Sequence, residues 1–464
     1  MRPFLTLKRA AKMRHSALLT DFYQFTMAYS YWQCGMHDQE AVFHLFFRRN
    51  PKNSDCVVAS GLETVVEFLN QFHFSDEEID YLASLKSPVF SSGFLAYLKT
   101  LRFTGDIDAV PEGSVVFSNE PLLRIKAPLL LCQLLETPLI NAINFSSAVT
   151  SIAARMRTAA GNNALLEFGL RRAQGPNGGL TASRAAFLGG FDATSNVLAG
   201  QYFDIPVVGT MAHSWVMAFD DELFAFEEYA RLNPDNVILL VDTYDTSTGV
   251  DHAIIVGKKL KAHGGLLKGI RLDSGDLATL SHMAREKLNQ AGLHDTLIFV
   301  SGDLTEARIA ELKLQGAPID GWGIGTHLTT AYEQPALDMV YKLGAIQKNL
   351  QWHYKLKRSD NRIKTSDPGI LQVKRFYQEK KWLRDLIYLV DFGVDAEVNS
   401  AEQSTDLLLP VFRKGVLVNA QPTLVEARDY CLEQVKQFNH SKNDGYLVER
   451  ESRLMALKQQ LMGS

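Results

Sequence analysis

From about residue 145 to 345, short runs rich in Val, Ile and Leu alternate with longer stretches of helical periodicity, and this alternation constrains the chain more than any other feature. A strand followed by a helix returns parallel to its predecessor, so repeated strand-helix units imply a parallel sheet covered by helices. The candidate strands are ALLEFG, AAFLGGF, PVVGT, NVILLVD, KGIRLD, LIFVSGD and GWGIGT, with DMVYKL closing the series. SSAVTSIAARMRTAA, ELFAFEEYARL, TGVDHAIIVGKKLKAHG, GDLATLSHMAREKLNQAG and DLTEARIAELKLQG read as helices, several ending in the glycine that a helix C-terminus favours. About eight parallel strands with outer helices predict a closed or nearly closed β/α barrel.

The flanks carry another pattern. ALLTDFYQFTMAYSYWQCG is amphipathic, AVFHLFF alternates, residues 61–101 are helical in period, and SVVFSNEPLLRIKA reads as two strands about a turn. Beyond residue 345 the chain is more charged, with DLIYLVDFG and LLLPVFRKGVLV as strands. The barrel's first and last elements are neighbours in space, so the flanks are expected to build a second, α+β domain jointly. The expected boundaries are 1–125 for its N-terminal part, 126–345 for the barrel and 346–464 for its C-terminal part.

A chain of 464 residues, 46% hydrophobic, can bury a core in each domain. A net charge of -4 gives no reason to expect nucleic acid or an anionic membrane as partner, so any anionic ligand must be held by local groups. Cys34, Cys56, Cys132 and Cys431 form no CxxC pair, which fits a reducing cytoplasm. MRPFLTLKRAAKMRH lacks the apolar core of a secretory signal; it reads as a frayed terminus or a transit peptide.

Several strands end in polar clusters. Asp242 ends NVILLVD, Arg271 and Asp273 end KGIRLD, Ser301, Gly302 and Asp303 follow LIFV, and Gly323, Gly325 and Thr326 close the next strand. In a β/α barrel these positions fall on the rim that carries the chemistry. An aspartate there also serves as a helix cap, as Asp276 or Asp303 would, but four successive strand ends of this kind are more than caps. DGWGIGTHLTTA is neither a Walker loop nor a GxGxxG turn, yet its glycines free backbone N–H groups for an anion where barrels often hold phosphate. In EFGLRRAQGPNGGLTASRAAFLGGFDATSN, Arg171 follows a strand and is placed to take a carboxylate or phosphate bidentately, with Phe168 offering a ring face and Asp192 nearby. The aspartates suit ribose hydroxyls or, through Mg²⁺, a polyphosphate. No HExxH, GxSxG or kinase signature occurs, and the histidines lack zinc-ligand spacing. The rim is equipped for a phosphorylated sugar and a small, flat, acidic partner.

With these residues in hand, the chain resembles nicotinate phosphoribosyltransferases. The likeness rests on LLTDFYQFTMA, AVFHLFFRRNP, EFGLRRAQGPNGGLTASRAAFLGGFDATSN, GTMAHSW, LLVDTYDTSTG, GIRLDSGDL, FVSGDL and GWGIGT, in family order. It implies an α/β fold, an irregular β/α barrel plus an α+β sandwich domain built from the N- and C-terminal flanks, assembled as a homodimer with active sites at the interface. It implies joining of nicotinate to the ribose carbon of phosphoribosyl pyrophosphate, with pyrophosphate released, Mg²⁺ present, and ATP hydrolysed through a phosphohistidine. His213 of GTMAHSW matches the phosphorylated residue. By the same likeness Tyr23 stacks on nicotinate from the partner subunit, Thr210 and Arg271 lie against substrate, Phe168 and Arg171 meet ring and carboxylate, Asp242 and Asp273 face ribose and metal, and Gly323, Gly325 and Thr326 hold the 5-phosphate. Arg48 or Arg49 reaches a phosphate across the dimer. RIKTSDPGILQVKRFYQ departs from the family's downstream pattern, so Lys364, Lys374 and Arg375 stand between a role in ATP or pyrophosphate binding and a solvated basic stretch. Two rival readings share these residues: a nicotinamide-using relative, for which Asp192 would bind the amide, and a non-catalytic phosphoribosyl or nucleotide sensor.

Overall fold

The computed structural model describes residues 15–52, 54–358, 365–379, 381–394, 403–441 and 446–463. They fall into two compact units, one drawn from the chain up to Ala148 and from Ala336 onward, the other spanning Val149–Pro335.

In the first unit, strands from both flanks share one antiparallel sheet. Its order is Gln351–Tyr354, Met339–Lys348, Glu40–Phe47, Leu123–Pro128, Asp106–Ala109, Leu409–Arg413 and Val416–Leu417. The run AVFHLFF is buried almost throughout because Glu40–Phe47 has a partner on each edge, with Phe43 opposite Leu343 on one side and Ile125 on the other. A second sheet runs Gln403–Asp406, Leu371–Gln378, Lys381–Leu389, Leu447–Arg450. His44 joins the two: its Nε2 accepts the Leu371 backbone N–H at 3.1 Å.

Two expectations change here. DMVYKL does not close the parallel series; Met339–Lys348 pairs antiparallel with Glu40–Phe47, since an apolar run carries no mark of its partner's direction. SVVFSNEPLLRIKA is not a hairpin either. Val115–Val116 pairs with Val57–Val58, while Leu123–Pro128 lies between Glu40–Phe47 and Asp106–Ala109.

The second unit holds the parallel sheet. Its strands are β1 (Ala164–Glu167), β2 (Ala193–Thr194), β3 (Ile238–Leu240), β4 (Gly269–Leu272), β5 (Leu297–Val300) and β6 (Gly321–Ile324). The second half of the long helix Glu136–Ala160 lies in this unit, followed by α1 (Gly175–Leu188), α2 (Val197–Phe203), α3 (His213–Met217), α4 (Glu222–Leu232), α5 (Thr246–Ala262), α6 (Leu277–Gln290), α7 (Glu306–Leu314) and α8 (Thr326–Thr329). Sheet order is β2-β1-β6-β5-β4-β3, so the last strand pairs with the first. Beyond β2 a single bridge joins Thr194 to Val207. Ile270, Leu272, Ile298, Val300, Trp322 and Ile324 are fully buried, each contributing on the order of 1.5–3 kcal/mol.

The sheet therefore has six strands and one bridge where eight strands were expected. PVVGT supplies only the bridge at Val207, and AAFLGGF is no strand, because AAFL completes α1. GPNGG opens that helix: Pro176 stands at its start, where a fixed φ helps and a missing N–H costs nothing. The helix ends at Gly189, and Phe191 turns back into the core.

Candidate active site

Because the six strands are parallel, their carboxyl ends lie together, and the polar residues that follow them meet. Two residues past β3, Asp242 Oδ2 accepts the Asp273 backbone N–H at 2.8 Å and the Ser274 hydroxyl at 2.7 Å. Its other oxygen, Oδ1, is buried without a hydrogen-bond partner. One past β4, Asp273 accepts the Ser301 hydroxyl on Oδ1, while Oδ2 lies 3.8 Å from His213 Nε2. His213 is the first residue of α3, with 38% of its side chain exposed, and its Nδ1 lies 3.2 Å from the Thr243 hydroxyl. The imidazole is thus tethered at Nδ1, with Asp273 near Nε2 but beyond hydrogen-bond distance, and still open to solvent. Residues following β3 and β4 flank it, and Ser301 at the end of β5 holds Asp273.

Arg271, within β4, donates from Nη1 to the Thr210 hydroxyl at 2.6 Å. Burial draws its guanidinium below the ordinary range; the Asp273 and Asp242 carboxylates support its charge and Arg171 opposes it. Its Nε is also buried without a partner.

Phe168 follows β1 and donates its N–H to the Ile324 carbonyl at 2.8 Å. Its ring lies over Gly323: a Cβ there would stand 2.7 Å from two ring carbons, so only glycine admits the ring. Arg171 and Arg172 lie in the 3-10 turn Leu170–Arg172, both exposed, and Arg172 Nε donates to the Thr326 hydroxyl at 3.2 Å. Gly325 precedes α8, and Gly302 and Asp303 are exposed just past Ser301.

Asp192 is a correction. It precedes β2, so it sits at the opposite ends of the strands, where its Oδ2 accepts Arg157 Nη2 at 2.6 Å and the Leu165 N–H at 2.9 Å. It organises the sheet's amino edge and does not join the rim. Arg375 likewise departs from an anion-binding role: it is wholly buried, paired with Asp385 at 2.6 Å and stacked 3.8 Å from the centroid of Trp382. Lys374 pairs with Asp406 at 3.1 Å. Lys364 lies outside the described residues. Tyr23, half exposed on the helix Phe22–Gln33, and Arg48 and Arg49 belong to the other unit, where Arg48 lies 3.7 Å from Asp338.

The sequence reading passed over Thr243, Ser274, Arg172 and Glu167. Thr243 and Ser274 each neighbour a residue that was selected, and hydroxyls beside a strand-end carboxylate are the signal that would have found them.

A parallel α/β sheet with carboxylates, guanidinium groups, an accessible imidazole and a glycine-rich turn at its carboxyl ends is the arrangement on which α/β enzymes place their chemistry. Comparisons with known proteins narrow that class. The nicotinate phosphoribosyltransferase N-terminal domain model matches residues 18–144 and the nicotinate phosphoribosyltransferase family model residues 164–380. A nicotinate phosphoribosyltransferase of Bacillus subtilis is 41% identical over 89% of this chain and 87% of its own, and one of Mycobacterium tuberculosis is 41% identical over 92% and 88%. The crystal structure of human nicotinic acid phosphoribosyltransferase superposes with a TM-score of 0.82 at 32% identity, covering 96% of this chain and 100% of that one. The chain belongs to the nicotinate phosphoribosyltransferase family, a family of enzymes.

Proposed function

We propose that this protein joins nicotinate to C1 of phosphoribosyl pyrophosphate, forming nicotinate mononucleotide for NAD biosynthesis by salvage and coupling the step to ATP hydrolysis. The relatives named above support the substrate pair. The observation that carries the reading is the accessible His213 imidazole, bracketed by Thr243 and Asp273 at the strand ends.

The nicotinate ring nitrogen attacks C1 as the C1–oxygen bond to pyrophosphate breaks, the bonding pair leaving with pyrophosphate. No protein nucleophile is required; position and charge stabilisation carry the step. Phe168 presents a ring face to the base, Arg271 and Arg171 hold its carboxylate, and Thr326 and the Gly323–Gly325 backbone take the 5-phosphate. Ser301, Gly302, Asp303 and Thr210 complete the wall. In the coupled step a His213 nitrogen attacks the γ-phosphorus of ATP, ADP leaves, and water later releases phosphate from the phosphohistidine. A phosphoryl group there adds about two negative charges beside Asp273, enough to change pyrophosphate affinity.

The donor set fits Mg²⁺. Among the described residues no three His, Cys, Asp or Glu side chains gather as a metal cage, and Mg²⁺ ordinarily binds through one or two carboxylates plus substrate phosphates. Asp242, with its unpartnered oxygen, and Asp273 are those carboxylates; the ion would neutralise charge on the departing pyrophosphate.

The acid is favoured over the amide. Asp192, the residue that would have bound an amide, is engaged by Arg157 away from the rim, whereas Arg271 and Arg171, near enough to oppose each other's charge, are the guanidinium groups this reading gives to the base carboxylate. We read Tyr23 and one of Arg48 and Arg49 as supplied across a homodimer, and the four free cysteines as fitting the cytoplasm. No helix among the described residues is long and apolar enough to cross a membrane.

Incubation with γ-labelled ATP tests the coupled reading. Acid-labile label is expected on the wild type and absent from His213→Ala; label retained by that variant rules the role out. Turnover of nicotinate against nicotinamide under equal conditions tests the base, and preference for the amide overturns the choice.

A further inference from the structure

The carboxylate of Glu167 lies directly behind the base wall, 1% exposed, and takes no part in the steps above. It closes β1, and four hydrogen-bond donors from four different segments converge on it. Oε2 accepts the Ser183 hydroxyl of α1 at 2.9 Å and the Thr194 hydroxyl of β2 at 2.5 Å. Oε1 accepts the Gly169 backbone N–H and, at 3.3 Å, the Thr329 hydroxyl of α8. One oxygen therefore grips the scaffold and the other grips the site.

The two segments held by Oε1 are the ones that carry ligand groups. Gly169 lies between Phe168 and the Leu170–Arg172 turn, and Thr329 ends the short helix that begins at Thr326. They are in direct contact: a Cβ on Gly169 would fall 1.7 Å from Thr329 Oγ1 and 3.0 Å from the Gly325 carbonyl oxygen. At the surface the bond from Arg172 to Thr326 links the same two segments again. A carboxylate only accepts, so the Gly169 N–H and the Thr194 and Thr329 hydroxyls are turned toward it, while the single Ser183 proton is shared between Glu167 and the Gly179 carbonyl, also at 2.9 Å.

We propose that Glu167 is a positioning residue that fixes the base wall, Phe168 with Arg171, against the phosphate turn, Gly325 with Thr326, so that both substrates lose affinity together when it is changed. This rests on the reading that the two segments bind nicotinate and phosphoribosyl pyrophosphate. An amide at position 167 cannot serve all four donors. Its NH₂ would face either the Gly169 N–H or the Ser183 and Thr194 hydroxyls; Ser183 can turn its proton to the Gly179 carbonyl at 2.9 Å, but Thr194, which already accepts the Asn196 N–H at 2.9 Å, would lose the acceptor for its own proton.

The test is steady-state kinetics and thermal unfolding of Glu167→Gln, Glu167→Asp and Thr329→Val. Thr329→Val cuts only the link to the phosphate turn and leaves the other three bonds in place, so it remains informative if Glu167→Gln does not fold. Both Glu167→Gln and Thr329→Val are expected to raise KM for nicotinate and for phosphoribosyl pyrophosphate together, by roughly tenfold, with kcat within about threefold, and Glu167→Asp to recover part of the loss. A lower melting temperature with both KM values unchanged, or a rise for one substrate alone, overturns the inference. Wild-type turnover is measured first. If nicotinate is not used, the proposed function fails, and direct binding of phosphoribosyl pyrophosphate to wild type and Thr329→Val still decides whether the link positions the phosphate turn.

Discussion

Arg271 is largely buried beside the Asp273 and Asp242 carboxylates and within the field of the Arg171 guanidinium, the kind of clustered, desolvated charge that collects at functional sites. A lysine keeps the charge but has neither the planar fork nor the reach of Nη1 to Thr210. Arg271→Lys is therefore expected to cost about 1.5–3 kcal/mol in nicotinate binding, a KM about ten- to a hundredfold higher, with an unchanged melting temperature; an unchanged KM would remove Arg271 from the base site. Residues of this kind were legible because a polar group at the end of an apolar run is a local signal. Asp192 carries the same signal, yet only pairing tells which end of a strand it occupies, and Leu165 shows it to be the wrong one. Arg375 reads as an anion-binding or solvated base for a similar reason: the Asp385 carboxylate and Trp382 ring that bury it lie across a strand pair, seven to ten residues away.

Among the elements, the close approach of β6 to the residue following β1 is what would give the proposed base site its floor. Gly323 is buried in β6, and Phe168 crosses it. Gly323→Ala places a methyl group 2.7 Å from the ring and 3.2 Å from Ser301 Cβ, so something must shift. The ring is only partly buried and can swing toward solvent, which spares the core and spoils the platform. The expected outcome is a nicotinate KM raised at least tenfold with a melting temperature a few degrees lower at most; a large loss of stability with normal KM would mean that the ring does not face the base. The helices ELFAFEEYARL, TGVDHAIIVGKKLKAHG and GDLATLSHMAREKLNQAG were legible from periodicity alone: α4 and α6 lie within the first and third, and α5 starts two residues before the second, at Thr246. AAFLGGF and DMVYKL were not, because an apolar run of four to seven residues fits a buried helix end, a parallel strand or an antiparallel one, and contacts distant in sequence decide among them.

At the scale of the whole molecule, the flanks of the chain depend on each other, and His44 is a place where that dependence can be measured. It lies in the strand Glu40–Phe47 and accepts the Leu371 N–H, so it joins a strand near the start of the chain to one more than three hundred residues later. Complete burial, reinforced by the Arg124 charge, lowers its pKa from 6.5 to about 3, which keeps Nε2 free to accept. In the unfolded chain the same imidazole takes a proton below about pH 6.5. Between those values the unfolded state binds more protons than the folded state, so the contribution to stability is full above pH 6.5, shrinks as pH falls, and is gone below about 3. Its size is as much as about 5 kcal/mol. His44→Gln retains an acceptor for Leu371 but does not titrate. Urea unfolding at pH 7, 5.5 and 4.5 should show the variant somewhat less stable than wild type at pH 7, with the gap narrowing or reversing toward pH 4.5. Parallel pH profiles for the two proteins would show that His44 does not carry the acid sensitivity of the joint between the flanks.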